Sequence, residues 1–209
     1  VYPEQIGLTG NFSGYSWAPE SAPLYECSKQ SGISTGYISM SKPAAEDIQF
    51  KVTYLKEGST TEYNWVSGAV ASTEGNDTTF SLGIGDNMTL TEGGYMFTVD
   101  LASSTALFHK FETVGLVGNA TAAGWPDDSN PECDELMAFN PANGMYEYTG
   151  AFTAGEFKVR FDYNWDENLG GSLTDMVRNG NNIAVTEAGT YKCVLDMTKK
   201  PFTFTMTKQ

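Results

Sequence analysis

Ile6-Gly7-Leu8-Thr9-Gly10, near the start of the chain, returns as Val114-Gly115-Leu116-Val117-Gly118, and Trp17 returns as Trp125, both at an offset of 108 (114 − 6 and 125 − 17). The correspondence continues downstream. Phe50-Lys51-Val52 recurs as Phe157-Lys158-Val159, Tyr63-Asn64-Trp65 as Tyr163-Asn164-Trp165, and Thr91-Glu92 as Thr186-Glu187. The offset shrinks along the chain, as changes in loop length between two copies of one unit would make it do. A period of about 100 residues exceeds that of solenoid repeats, so each copy must carry its own core. The chain reads as a tandem pair of like domains, residues 1–111 and 112–209.

Within each copy the strand signals dominate. Phe50-Lys51-Val52-Thr53-Tyr54, Tyr95-Met96-Phe97-Thr98-Val99, Phe157-Lys158-Val159-Arg160-Phe161 and Phe202-Thr203-Phe204-Thr205-Met206 mix β-branched and aromatic residues in alternation. Gly93-Gly94, Asn143-Gly144, Gly170-Gly171, Asn179-Gly180 and Ala188-Gly189 punctuate them as turns or as the first residues of strands. Several short strands per hundred residues indicate an all-β chain of two tandem immunoglobulin-like β-sandwich domains. The expected exception is a short helical turn around Leu173 to Val177. Around Phe108-His109-Lys110-Phe111-Glu112-Thr113 the last strand of one copy runs almost directly into the first of the next, a connection short enough to suggest two sites at a fixed spacing.

The composition narrows the partners. With 26 acidic and 12 basic residues the net charge is −14, which repels a phosphate backbone and argues against nucleic acid. Aromatic residues are plentiful at 13% and charged ones sparse at 18%, a balance that suits a β-rich extracellular domain. Cys27, Cys133 and Cys193 lack metal-ligand spacing and read as buried small side chains, with a Cys133–Cys193 bridge left open. No signal peptide and no long apolar span is evident, so the chain reads as a soluble, processed piece with any membrane anchor outside it. Asn11, Asn76, Asn87 and Asn119 stand in glycosylation sequons that would matter only in a eukaryotic secretory protein.

All four tryptophans fall into the repeat. Trp17, Lys51 and Trp65 occur in the first copy and Trp125, Lys158 and Trp165 in the second, in the same order. An exposed indole face suits a pyranose ring, whose C–H groups pack on a π surface, and a strand Lys between two indoles places an ammonium donor near sugar hydroxyls. The competing reading buries these tryptophans in the sandwich cores. Asp166, Glu167 and Asn168 follow Trp165 as short polar groups, whereas Val66-Ser67-Gly68 follows Trp65, so the second copy is the stronger candidate.

Val114-Gly-Leu-Val-Gly118, Ala123-Gly-Trp-Pro126, Gly155-Glu-Phe-Lys-Val-Arg160, Asn164-Trp165, Asn168-Leu-Gly-Gly171, Gly180-Asn-Asn-Ile183 and Gly189-Thr-Tyr191 together resemble the carbohydrate-binding repeats of SusE and SusF. These are surface lipoproteins of the starch-utilisation system of Bacteroidetes. The resemblance covers the second copy almost end to end and the first more loosely. It implies a non-catalytic glycan-binding protein on the outer face of a Gram-negative outer membrane, with α-glucan as the favoured ligand and other outer-membrane glycan-uptake proteins as neighbours. No cofactor is implied. Carried over by position, Trp125 and Trp165 stack, Lys158 donates, and Arg160, Asp166 and Asn168 join the polar set; Trp17, Lys51 and Trp65 match the same frame. The missing Asn-x-Gly-Gly stretch after Trp65 sets the first copy apart.

A glycoside hydrolase needs two carboxylates across a cleft. Asp127, Asp128, Asp134 and Glu135 form the obvious acidic cluster, which reads as a solvated loop, with Ca²⁺ binding as an alternative but without EF-hand spacing. His109 is the only histidine and has no counterpart in the other copy, so Ser/His/Asp catalysis has no support. A protein-adhesion module remains the other alternative. Against it, a protein interface gives no reason for the same Trp/Lys/Trp set in both copies, whereas two sites on one repeating polymer do.

Overall fold

A computed structural model describes all residues, 1–209, and the chain is all-β. It divides into two compact units, Val1–Lys110 with Pro141–Gly144, and Phe111–Asn140 with Met145–Gln209. Every strand pairing in both units is antiparallel.

The first unit contains β1 (Gln5–Gly10), β2 (Leu24–Glu26), β3 (Ile33–Met40), β4 (Ile48–Leu55), β5 (Tyr63–Val66), β6 (Gly68–Glu74), β7 (Asp77–Leu82), β8 (Met88–Leu90), β9 (Gly93–Asp100) and β10 (Thr105–Lys110). One sheet has the order β2-β1-β4-β5 with β8 also against β4; the other runs β3-β9-β10-β7-β6. Alternation along β4 sends Ile48, Phe50 and Val52 inward and Lys51 to the other face. Phe50 then meets Phe80 of β7 at 6.2 Å and Phe108 of β10 at 5.2 Å, and Tyr25 of β2 meets Phe97 of β9 at 4.7 Å. These edge-to-face contacts join the two sheets into a sandwich.

The second unit contains β11 (Val114–Val117), β12 (Glu135–Asn140), β13 (Met145–Phe152), β14 (Gly155–Phe161), β15 (Asn164–Ser172), β16 (Asp175–Arg178), β17 (Ile183–Val185), β18 (Gly189–Asp196) and β19 (Thr203–Lys208). Their order is β16-β15-β14-β11-β12-β13-β18-β19, with β17 against β14. The first half of β12 pairs with β11 and its second half with β13, so one strand passes between the two layers that the first unit builds from β2 and β3 separately. Phe157 of β14 packs on Phe204 of β19 at 5.1 Å and on Phe152 of β13 at 5.9 Å, which closes the core.

Several local expectations are corrected. The stretch Leu173 to Val177 is the turn and following strand of the β15–β16 hairpin, and the short helical turns lie instead at Phe12–Gly14 and Pro19–Ser21. Gly170-Gly171 is not a turn but part of β15. A Cβ on Gly170 would lie 2.3 Å from the Asn181 carbonyl oxygen, so the pair marks a close approach of backbones. The three cysteines are all free, with Cys27 and Cys193 buried. Gly10 and Gly118 follow the same logic in both copies, since a Cβ would lie 1.9 Å from the Gln49 carbonyl oxygen and 2.1 Å from that of Glu156.

Candidate functional site

The repeated tryptophans come together in pairs. Trp17 lies against Trp65 with ring centroids 6.4 Å apart and planes inclined by 41°; Trp125 lies against Trp165 at 6.1 Å and 40°. Trp65 and Trp165 are each 42% exposed, and Trp17 and Trp125 are half-buried, so none of the four is a core residue. Two chain segments about 100 residues apart thus build the same tilted pair of partly exposed indoles.

Local structure explains the match. In each copy the loop carrying the first indole leaves at a glycine pressed on the neighbouring strand, Gly10 or Gly118, and an Asn follows it. Asn11 Oδ1 accepts a hydrogen bond from the Gln49 N–H at 2.9 Å, and Asn119 Oδ1 accepts one from the Glu156 N–H at 2.7 Å. Their sequon context carries no hint of this anchoring role, whereas their common offset of 108 (119 − 11) does. The loops then diverge. Ser16 and Trp17 both sit at positive φ, 51° and 60°, whereas the second copy places Gly124 at φ 74° just before Trp125.

Lys51 and Lys158 lie half-buried on the non-core face of β4 and β14. Burial lowers the Lys158 ammonium below its ordinary 10.5. Two positions on, the copies differ. Thr53 pairs with Trp65 in regular register, and its hydroxyl lies 2.7 Å from that of Thr9. Arg160 occupies the corresponding place on β14 and is 3% exposed. Its Nε and Nη2 donate to the two carboxylate oxygens of Asp134 at 2.9 and 2.6 Å, Nη2 also donates to the Pro131 carbonyl at 2.6 Å, and its Cζ lies 5.1 Å from the Trp165 ring centroid.

The Asp-Glu-Asn stretch after Trp165 forms a bulge. Arg160 pairs with Asn168 and Phe161 with Asn164, so Trp165, Asp166 and Glu167 are looped out of the ladder. Asn168 is 4% exposed; its amide donates to the Trp165 carbonyl at 2.8 Å and to Asn179 Oδ1 at 2.9 Å. Asp166 is exposed, and its N–H closes on Asn164 Oδ1 at 2.9 Å. Arg178 bonds the Asp166 carbonyl at 3.2 Å and Glu167 Oε1 at 2.8 Å. Of the residues expected to face a ligand, Trp125, Trp165, Lys158 and Asp166 are accessible, while Arg160 and Asn168 are committed beneath the bulge. The acidic cluster is likewise divided, since Asp127 and Asp128 are exposed but the Asp134 carboxylate is 1% exposed in its pair with Arg160.

A cleft of about 840 Å³ in the first unit, lined by Tyr2, Leu24, Tyr54, Leu55, Tyr63 and Asn64 among others, includes none of the tryptophans. The indole pairs are the candidate site, because a duplicated geometry is a stronger sign of one than a single concavity.

Residues 113–201 match the family model of the pullulanase X25 domain. The match lies almost wholly within the second unit, which is similar to that domain. The crystal structure of SusF from Bacteroides thetaiotaomicron aligns with 100% of this chain and 49% of its own, at 15% identity and a TM-score of 0.37. The chain therefore spans about half the length of that SusF chain. No curated protein matches by sequence.

Proposed function

We propose that this protein binds polysaccharide without cleaving it, with α-glucan of the starch type as the favoured ligand. The observation that carries the reading is the pair of indoles built twice, with inclinations of 41° and 40° and one ring of each pair 42% exposed. Two rings tilted by this much offer a bent platform, which suits the curved path of an α-linked glucan better than a flat β-linked ribbon. The X25 likeness of the second unit supports the same ligand class, since pullulan is itself an α-glucan. Lys51 and Lys158 supply hydroxyl-directed donors on the strands beside the indoles, and Asp166 adds an exposed carboxylate in the second copy.

Each stacking contact contributes about 0.5–1.5 kcal/mol, which places a single site in the range of about micromolar to millimolar. Two sites on one chain raise the avidity for a polymer through effective concentration. The protein would act at the surface of a Gram-negative cell, holding polymer for uptake by neighbouring outer-membrane proteins.

Affinity electrophoresis through gels containing amylopectin, dextran, levan, xylan or pectin tests the proposal. Retardation in amylopectin alone supports it. Retardation only in another gel moves the ligand to that polymer, and mobility unchanged in all of them favours a protein-adhesion role.

A further inference from the structure

The guanidinium of Arg160 contacts Trp165 and the segment that follows Trp125. Above it lies the ring of Trp165, 5.1 Å from Cζ to centroid. Beside it lies the segment that begins at Trp125 and ends at Asp134, gripped through the Asp134 carboxylate and the Pro131 carbonyl. That segment is internally closed. Asp127 Oδ1 accepts from the N–H and hydroxyl of Ser129 and the N–H of Asn130, and the Cys133 thiol donates to the Gly124 carbonyl at 3.6 Å. Cys133, beside Asp134, is thereby tied to Gly124, beside Trp125. Gly115, the cross-strand neighbour of Arg160 on β11, makes the arrangement fit, because a Cβ there would lie 2.5 Å from the Asp134 Cβ.

We propose that Arg160 and Asp134 form a buried strut that sets the tilt of the Trp125–Trp165 pair, with Arg160 acting as a positioning residue for the ligand rather than as a contact to it. The inference deepens the binding role given above and depends on Trp165 being part of that platform. Its chemistry is specific to guanidinium. A planar fork meets both carboxylate oxygens while its face lies against an indole, and a Lys ammonium cannot do both. The first unit reaches the same indole geometry over the Thr9–Thr53 hydroxyl pair.

The test uses the whole chain in a Trp17→Phe/Trp65→Phe background, so that the only indole pair is Trp125–Trp165. Two indoles 6.1 Å apart couple as excitons and give a couplet in far-ultraviolet circular dichroism that depends on their mutual angle. Arg160→Lys should fold, lose at least half of the couplet, and bind amylopectin about tenfold more weakly. The double variant Arg160→Met/Asp134→Leu replaces the ion pair with apolar groups, so folding is retained even if Arg160→Lys unfolds. It should also lose the couplet. An unchanged couplet and affinity in a folded double variant would overturn the proposal. The couplet is read without ligand, so a parent protein that binds no glycan but whose couplet falls in both variants upholds the strut and rejects the functional reading.

Discussion

Trp65 and Trp165 are equally exposed, at 42%, and their tilts toward the preceding indole differ by one degree, yet what lies beneath them has nothing in common. Under Trp65 a regular β-ladder continues through Thr53, whose hydroxyl meets that of Thr9. Under Trp165 the ladder is broken by looped-out residues, and the gap is filled by Arg160, Asp134, Asn168 and Asn179. Two different substructures thus hold one surface geometry. This indicates that the retained quantity is the arrangement of the two rings, while the support beneath is free to vary.

The largest difference between the copies should appear in stability. Asp134→Ala strands a buried guanidinium and should cost about 3–5 kcal/mol in the second unit, whereas Thr53→Val in the first should cost about 1–3 kcal/mol. Urea denaturation followed by circular dichroism measures both. Equal losses would mean that the strut is no more than a local hydrogen bond. Gly115→Ala should behave like Asp134→Ala, because its methyl group takes the space of the Asp134 Cβ.

Binding should respond next, and symmetrically. Trp165→Ala should remove most binding by the second unit with little change in its unfolding midpoint, since at 42% exposed the residue lies outside the core; a large drop in stability would mark it as core. Trp17→Ala should weaken binding to long polymer more than to a short oligosaccharide, and equal losses on both would contradict a two-site chain.

Lys158 provides a smaller, pH-dependent contrast. Burial favours its neutral amine relative to the unfolded chain, so the desolvation cost is present below the ordinary 10.5 and is relieved as pH rises. Binding has the opposite sign. It uses the ammonium, and so should fall as pH rises through the lowered value. A Lys158→Met variant should bind more weakly at neutral pH and lose this alkaline limb, and titration of affinity against pH checks it.

The smallest effect should come from Ser16→Gly, which gives the first copy the glycine that the second has at Gly124. Relief of the positive φ should stabilise the first unit by no more than about 0.5 kcal/mol, measured by thermal unfolding.

Much of this was readable from the chain because duplication exposes what one copy hides. The strands around Phe50 and Phe157 follow from alternation, and the shared order of Trp17 with Trp65 and of Trp125 with Trp165 groups each two indoles in one candidate site, while their ring contacts come from the fold. The supports were not readable. Nothing local in Gly155-Glu-Phe-Lys-Val-Arg160 states that Arg160 is buried, because its partner Asp134 is supplied by the loop that leads into β12, and Asp134 by itself looks like part of a solvated acidic run. Asn168 reads as a ligand group for the same reason, since its partner Asn179 lies on another segment. Gly170-Gly171 carries the composition of a turn, but its smallness serves the backbone of Gly180 and Asn181 across a contact that one sequence does not display.

The most direct test of the central claim is affinity electrophoresis in amylopectin of the parent chain, Trp65→Ala, Trp165→Ala and the double variant. If the tilted indole pairs are the glycan platforms, each single variant should be retarded less than the parent and the double variant should migrate as in a gel without polysaccharide. A folded double variant retarded as strongly as the parent would contradict the account.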